Sequence, residues 1–244
     1  MTSSGIDPVS RVLLTRPEPA ASRTARDLIR RGYQPVVAPM MRMRAIGLAA
    51  LPEVPEGAAV AVTSARAIEA VAGSPGWERL RGLPVFAVGG ATGAAARDAG
   101  AAKVEAAGGD LGSLCDHLLR ARPGAVIYLA GRQRSGDLCA ILQANGIPCE
   151  MHEVYDMEAV PEPPVALVSA LAACDPADPL AVLVYSRRSA EALIAALAAL
   201  DVRGRLVFFA LSEQVAEPLR GLGPCHVAAE PSEAALIALL EKTC

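Results

Sequence analysis

The sequence predicts an α/β fold of parallel sheets with crossover helices, on two observations. Apolar, β-rich runs alternate with Ala/Leu-rich amphipathic stretches along almost the whole chain, and such alternation places helices on both faces of a parallel sheet. The pattern is also written twice: AVAVTSARAIEAVAG at 59–73 returns as AVLVYSRRSAEALIA at 181–195. Ser186 stands where Ser64 stood and Arg188 where Arg66 stood, 186 − 64 = 122 positions apart in a chain of 244 residues.

The elements follow in order. VLLT (12–15) is a strand, followed by a helix near 19–31 and a second strand, PVVA (35–38). AVAVT (59–63) leads into a helix at 65–73, PVFAV (84–88) into 91–99, and a strand at 103–106 into 111–121. AVIYL (125–129) leads into a helix at 136–145 and a strand at 148–154. AVLVY (181–185), LVFFA (206–210) and a strand at 225–228 precede helices at 188–200, 213–220 and 232–242. Val85 and Val207 repeat the offset of 122, as do Leu114 and Leu118 against Leu236 and Leu240. VLLTR…DLIRRGYQPVV (12–37) echoes VIYLAGR…AILQANGIPCE (126–150), with Gly32 and Gly146 at an offset of 114. The repeat predicts two five-stranded α/β units. Pro-rich zones at 39–57 and 156–165 read as linkers and DPADP (175–179) as a loop, because Pro and Gly at that density break helices and sheets. Neither zone lies at the chain midpoint. The first strand–helix unit is therefore expected to join the last third of the chain.

Composition narrows the function. Hydrophobic residues make up 52%, charged residues 20% and aromatics only 3%. No apolar run approaches the roughly 18 to 20 residues of a membrane span, so no membrane partner is expected. A formal charge of −3 and few aromatics argue against nucleic acid. The opening MTSSGIDPVSR lacks a secretory signal pattern, which sets a cytoplasmic expectation. The six cysteines form no CxxC pair and are expected to be free thiols. Each histidine (His117, His152, His226) lies within three residues of a cysteine, but Cys149-x-x-His152 alone is no zinc site, so no metal is expected.

In open parallel sheets ligands bind beyond the carboxyl ends of the strands. There the sequence puts Thr15 and Arg16; Thr63, Ser64, Ala65 and Arg66; Gly89, Gly90 and Thr92; and Gly131, Arg132 and Arg134. It also puts Ser186, Arg187, Arg188 and Ser189 there, then Ser212, Glu213 and Gln214. Each Ser or Thr taken alone reads as a helix N-cap. Together with arginines they suggest rows of N–H groups and cations facing an anionic ligand. Arg23, Arg26, Arg30 and Arg31 read as solvated surface. TRPEP puts Pro where a dinucleotide loop needs Gly, GGATGA (89–94) is only a weak imitation, and no Walker lysine or GxSxG elbow occurs. An enzyme of this kind would act by holding a reactive substrate in one conformation.

These residues resemble a known family. VLLTRPEPAA, AVTSARA (61–67), VFAVGGAT (85–92), GR…GDL (131–138), GIPCEMHEVYDM (146–157), FALSEQVAEPL and VAAEPSEAALIALL fall in the order seen in uroporphyrinogen-III synthases, from about residue 11 to 241. The resemblance implies two Rossmann-like or flavodoxin-like α/β domains with parallel sheets joined by a two-stranded linker. Residues 1–38 with 163–244 would form one domain and 48–152 the other, with linkers at 39–47 and 153–162. It implies cyclisation of hydroxymethylbilane, a linear tetrapyrrole with eight carboxylates, with inversion of ring D and loss of water. It further implies no cofactor, a monomer, and substrate received from hydroxymethylbilane synthase.

By the same resemblance Tyr155 assists departure of the hydroxyl group without being essential; the alternative is a linker tyrosine packed by its ring. Substrate binding would fall to Arg16, Thr63, Ser64, Ala65, Arg66, Gly89, Thr92, Gly131, Arg132, Ser186, Arg188, Ser189 and Ser212. The Ser64 and Ser186 turns would face each other across one cleft. Whether Arg66 and Arg188 reach ligand or solvent is open at this point. A non-catalytic tetrapyrrole- or anion-binding paralogue, and an unrelated sugar or nucleotide binder, are the competing readings.

Overall fold

Central strands buried on both faces must be continuously apolar, and AAVAV and LAVLV meet that demand with all five residues buried in each. The computed structural model describes residues 11–48, 53–134, 136–175, 177–200, 202 and 204–243. The opening MTSSGIDPVS and the Cys244 thiol, both read from sequence above, lie outside the described residues. The chain divides into two compact units: one holds the chain up to Arg42 and from Glu158 onward, the other Met43–Met157.

Unit one contains strands β1 (Arg11–Leu14), β2 (Gln34–Val37), β9 (Leu180–Val184), β10 (Leu206–Ala210) and β11 (Cys225–Val227). They pair in the order β11-β10-β9-β1-β2, every neighbour parallel. Val12 faces Pro35 on one side and Ala181 on the other. Helix α1 (Ala20–Arg30) buries Ala21, Thr24, Ala25 and Leu28, a single stripe at helical spacing. Helices α8 (Arg187–Leu197) and α10 (Glu233–Thr243) bury similar stripes of Ala, Leu and Ile.

Unit two contains β4 (Ala58–Val62), β5 (Pro84–Ala87), β6 (Lys103–Ala106), β7 (Ala125–Gly131) and β8 (Cys149–Ala159). Its order is β3-β8-β7-β4-β5-β6, where β3 is Met41–Ala45. Helices α2 (Ala65–Val71), α4 (Gly90–Asp98), α5 (Leu111–Ala121) and α6 (Leu138–Ala144) connect the strands. The 122-residue offset carries β4, β5 and β6 onto β9, β10 and β11, and the 114-residue offset carries β1 onto β7. Under that mapping the five shared strands have one spatial order, the flavodoxin-like arrangement. The repeat read in the sequence is a repeat of topology.

Four elements differ from expectation. The Pro-rich zone 39–57 contains strand β3, because its N–H and C=O groups find partners: Ile46 N–H donates to Val154 O at 2.9 Å. Helix α3 (Pro75–Leu80) is six residues started by Ser74, whose side chain accepts the Trp77 N–H, too short for a periodic pattern. Helix α7 (Val165–Ala172) follows Pro164 within the second Pro-rich zone. The expected helix at 213–220 stops after α9 (Glu213–Ala216), and a 3-10 turn at Glu217–Leu219 takes over where Pro218 has no N–H to donate.

The free-thiol expectation is corrected at one pair. Cys139 and Cys149 form a disulfide with Cα atoms 5.0 Å apart, because α6 brings Cys139 beside the first residue of β8. Cys115, Cys174 and Cys225 are free. Among the described residues no helix is long and apolar enough to cross a membrane.

Candidate functional site

The small polar residues at the strand ends are first of all helix caps. Ser64 has an extended backbone (φ −155°, ψ 138°) and its hydroxyl accepts the Arg66 N–H at 3.3 Å, starting α2. Ser186 repeats that geometry in unit one (φ −151°, ψ 152°). Its oxygen accepts the Ser189 N–H at 3.1 Å, and its hydroxyl donates to the Ser189 hydroxyl at 2.9 Å. Ser212 opens α9 with an extended backbone, but its side chain makes no cap bond. Gly89 opens α4 where a Cβ would lie 3.2 Å from Gly109 Cα, so the two turns pass closely and a side chain there would press on its neighbour. Thr92 and Ser189 are buried within their helices; Ala65 and Arg66 form the first turn of α2.

Unit two has a cavity of about 460 Å³ at these carboxyl ends. It gathers four expected residues: Thr63, Ser64, Gly131 and Tyr155. The Tyr155 ring lies over Gly131, and the Arg132 N–H donates to the Tyr155 carbonyl at 2.9 Å. Four further polar residues line it: Tyr128, Asp110 and Gln133, which the sequence pattern does not single out, and Arg134, which it places beside Arg132 at the strand end. Tyr128 and Thr63 hydroxyls are 2.9 Å apart. Burial pushes the Tyr128 phenol up, so it is a neutral donor at physiological pH. Asp110 caps α5 by accepting the Ser113 N–H at 2.7 Å, and that backbone bond holds its carboxyl below the usual range. The continuous apolar run of β7, buried at every position, gives no signal for Tyr128, and the GGD turn before α5 carries no arginine to draw attention.

Most arginines in the row are paired within the protein. Arg16 donates to Glu233 at 2.7 Å and to Thr24 at 3.1 Å, and its guanidinium carbon stands 4.2 Å over the Tyr185 ring. Thr24 also bonds Glu233. Burial pushes Tyr185 up to about 12, with the Glu233 charge adding to the shift. Arg132 reaches Glu153 at 3.1 Å and Asp156 at 2.9 Å. Arg134 sits 3.5 Å from Glu153 and donates to the Arg132 carbonyl. Arg188 is exposed on the first turn of α8 and Arg66 is half-buried. Of the arginines taken as surface, Arg30 and Arg31 both pair with Asp27.

Of the remaining expected residues, Ala65, Arg66, Gly89, Thr92 and Arg132 lie on unit two outside that cavity lining, while Arg16, Ser186, Arg188, Ser189 and Ser212 lie on unit one. Each unit thus carries its own row of helix starts and hydroxyls. Such a row can hold carboxylates through uncharged donors. Among the described residues no group of three or more His, Cys, Asp or Glu is placed to hold a metal ion.

The family model described as uroporphyrinogen-III synthase HemD matches residues 22–238. The solved uroporphyrinogen-III synthetase from Helicobacter pylori 26695 has the same fold, with a TM-score of 0.60 at 18% identity, covering 96% of this chain and 100% of that one. Two uroporphyrinogen III synthase structures from the extremely thermophilic bacterium Thermus thermophilus, one of a mutant and one wild type, match at 18% and 19% identity over 96% of both chains, with TM-scores of 0.44 and 0.38. A search among curated proteins finds no match.

Proposed function

The chain belongs to the uroporphyrinogen-III synthase family, cyclising lyases of haem biosynthesis, and from that premise we propose that it closes hydroxymethylbilane to uroporphyrinogen III with inversion of ring D and loss of water. The family match across residues 22–238 carries the reading. The geometry supports it: both units present hydroxyls and helix-start N–H groups at the carboxyl ends of their strands, suited to a polycarboxylate.

Hydroxymethylbilane loses its hydroxyl group and a pyrrole N–H proton, together as water, to leave a reactive azafulvene, and unguided closure joins the ring ends into the type I isomer. The protein's task is to hold the chain so that the substituted position attacks and a spiro intermediate forms. Uncharged donors suit that task, since they orient carboxylates without demanding a basic protein. Tyr155 is proposed as an auxiliary acid for hydroxyl departure, its ring held in place over Gly131. The reaction is read as cofactor-free and cytoplasmic, run by a monomer supplied by hydroxymethylbilane synthase. Residues 1–38 with 163–244 and residues 48–152 are proposed as its two domains, linked by 39–47 and 153–162.

Freshly generated hydroxymethylbilane supplied to the protein, with oxidised products separated by isomer, tests the proposal. Type III is the expected product. Only type I, as in the protein-free reaction, overturns it, and binding of uroporphyrinogen with no change in isomer ratio would instead identify a non-catalytic binder.

A further inference from the structure

We propose that Tyr128 is a substrate-binding residue and that, with Thr63 and Arg134, it forms a carboxylate subsite in the unit-two cavity; the identity of the ligand rests on the function proposed above.

The argument starts from proton counting. Thr63 and Tyr128 each carry one O–H, and their oxygens are 2.9 Å apart. One proton lies between the two oxygens, whichever residue donates it. The other proton has no place in that bond and remains available to a third group. Both residues line the same cavity, so a ligand there is within reach of it. Tyr128 is only 3% exposed and sits on β7, buried at all seven positions, so the pair is rigidly held. Burial keeps the phenol protonated.

The surroundings select the ligand. Arg134 lines the cavity, and its charge bears on the Tyr128 hydroxyl. Its ion pair with Glu153, at 3.5 Å, is longer than either pair made by Arg132. A donor hydroxyl beside a guanidinium requires an acceptor, and the acceptors a tetrapyrrole carries in number are its carboxylates. The opposing charge on the cavity wall is Asp110, whose Oδ1 is engaged by the Ser113 N–H; Asp137 is the other acid bearing on Tyr128.

Tyr128→Phe removes the hydroxyl and keeps the ring, and Thr63→Val is its near-isosteric counterpart. Each is expected to raise KM for hydroxymethylbilane roughly tenfold, as loss of one bond to a charged group does, with the effect on KM rather than kcat. Because the two hydroxyls act as one donor, the double variant should be little worse than the weaker single one. Unchanged KM in Tyr128→Phe, with an unchanged melting temperature, overturns the subsite. So does a fall in kcat at constant KM, which would place the hydroxyl at the leaving group. Should Tyr128→Phe fold poorly, Arg134→Gln reads the same subsite from an exposed position. Binding of uroporphyrin III, an octacarboxylate, to wild type and Tyr128→Phe gives a readout that does not need turnover. A wild type that makes only type I isomer yet loses about tenfold in uroporphyrin affinity in the variant overturns the catalytic reading and leaves the subsite standing. Equal affinities overturn the subsite.

Discussion

Gly131 lies beneath the Tyr155 ring so closely that a Cβ would stand 2.6 Å from Tyr155 Cζ and 2.8 Å from its hydroxyl oxygen. Gly131→Ala therefore forces a buried ring to move, a type of overpacking that costs about 1–3 kcal/mol. The expected outcome is a lower melting temperature together with reduced type III product, seen in parallel thermal melts and isomer assays. A variant with wild-type stability and product ratio would mean the ring has another place to go.

Tyr155→Phe is a gentler change, since the ring stays over Gly131 and only the hydroxyl goes. Measurable type III activity should remain. Complete loss in a variant with a native circular dichroism spectrum would make Tyr155 an obligatory acid.

The three serine caps separate structure from binding. Ser64→Ala and Ser186→Ala each remove a bond to a helix-start N–H and should cost about 1 kcal/mol in urea denaturation. Ser212 makes no such bond, so Ser212→Ala should stay within about 0.5 kcal/mol of wild type. A large KM increase in Ser212→Ala with unchanged stability would mark a direct ligand contact.

Tyr185 gives the protein an alkaline limit. Its folded pKa, about 12, lies above its ordinary value of 10. The folded state thus holds the proton more tightly than the unfolded state does. Stability from this group is complete below pH 10 and is lost as pH rises towards 12, by about 2–3 kcal/mol in all. Urea midpoints measured from pH 9 upward should fall in wild type and fall less in Tyr185→Phe. Equal slopes would remove Tyr185 as the cause.

The Cys139–Cys149 disulfide closes a loop with a sequence separation of 10. Reduction, or Cys139→Ser, is expected to cost roughly 2–3 kcal/mol if chain entropy dominates. Thiol titration of the denatured protein before and after reduction should differ by two groups. No difference would exclude the bond in solution.

What could be read from sequence was whatever is local or repeated. Strands such as AVAVT and LVFFA declare themselves by composition, and the Ser64 and Ser186 caps need only the next two or three residues. β3 could not be read because MRMRA has no β-branched residue, and it becomes a strand through its partner β8. The arginines show the same limit at the site. Arg16 reads as a ligand cation until Glu233, 217 positions away, is brought beside it. Tyr128 was hidden within a strand whose apolar run gives no sign of which residue ends at a cavity.

Strand order also sets a schedule. As the chain emerges from the ribosome, everything needed for residues 43–157 is present before β9 exists, yet β1 pairs with β9 through Val12 and Ala181. Strand β1 thus precedes the central unit in the chain, yet its second edge is covered only when β9 arrives. Folding of that unit narrows the gap between them, because Ile46 and Gly47 both bond to Val154 near its two ends. A long intervening stretch becomes a short tether, and the entropic cost of uniting β1 with its partner falls accordingly.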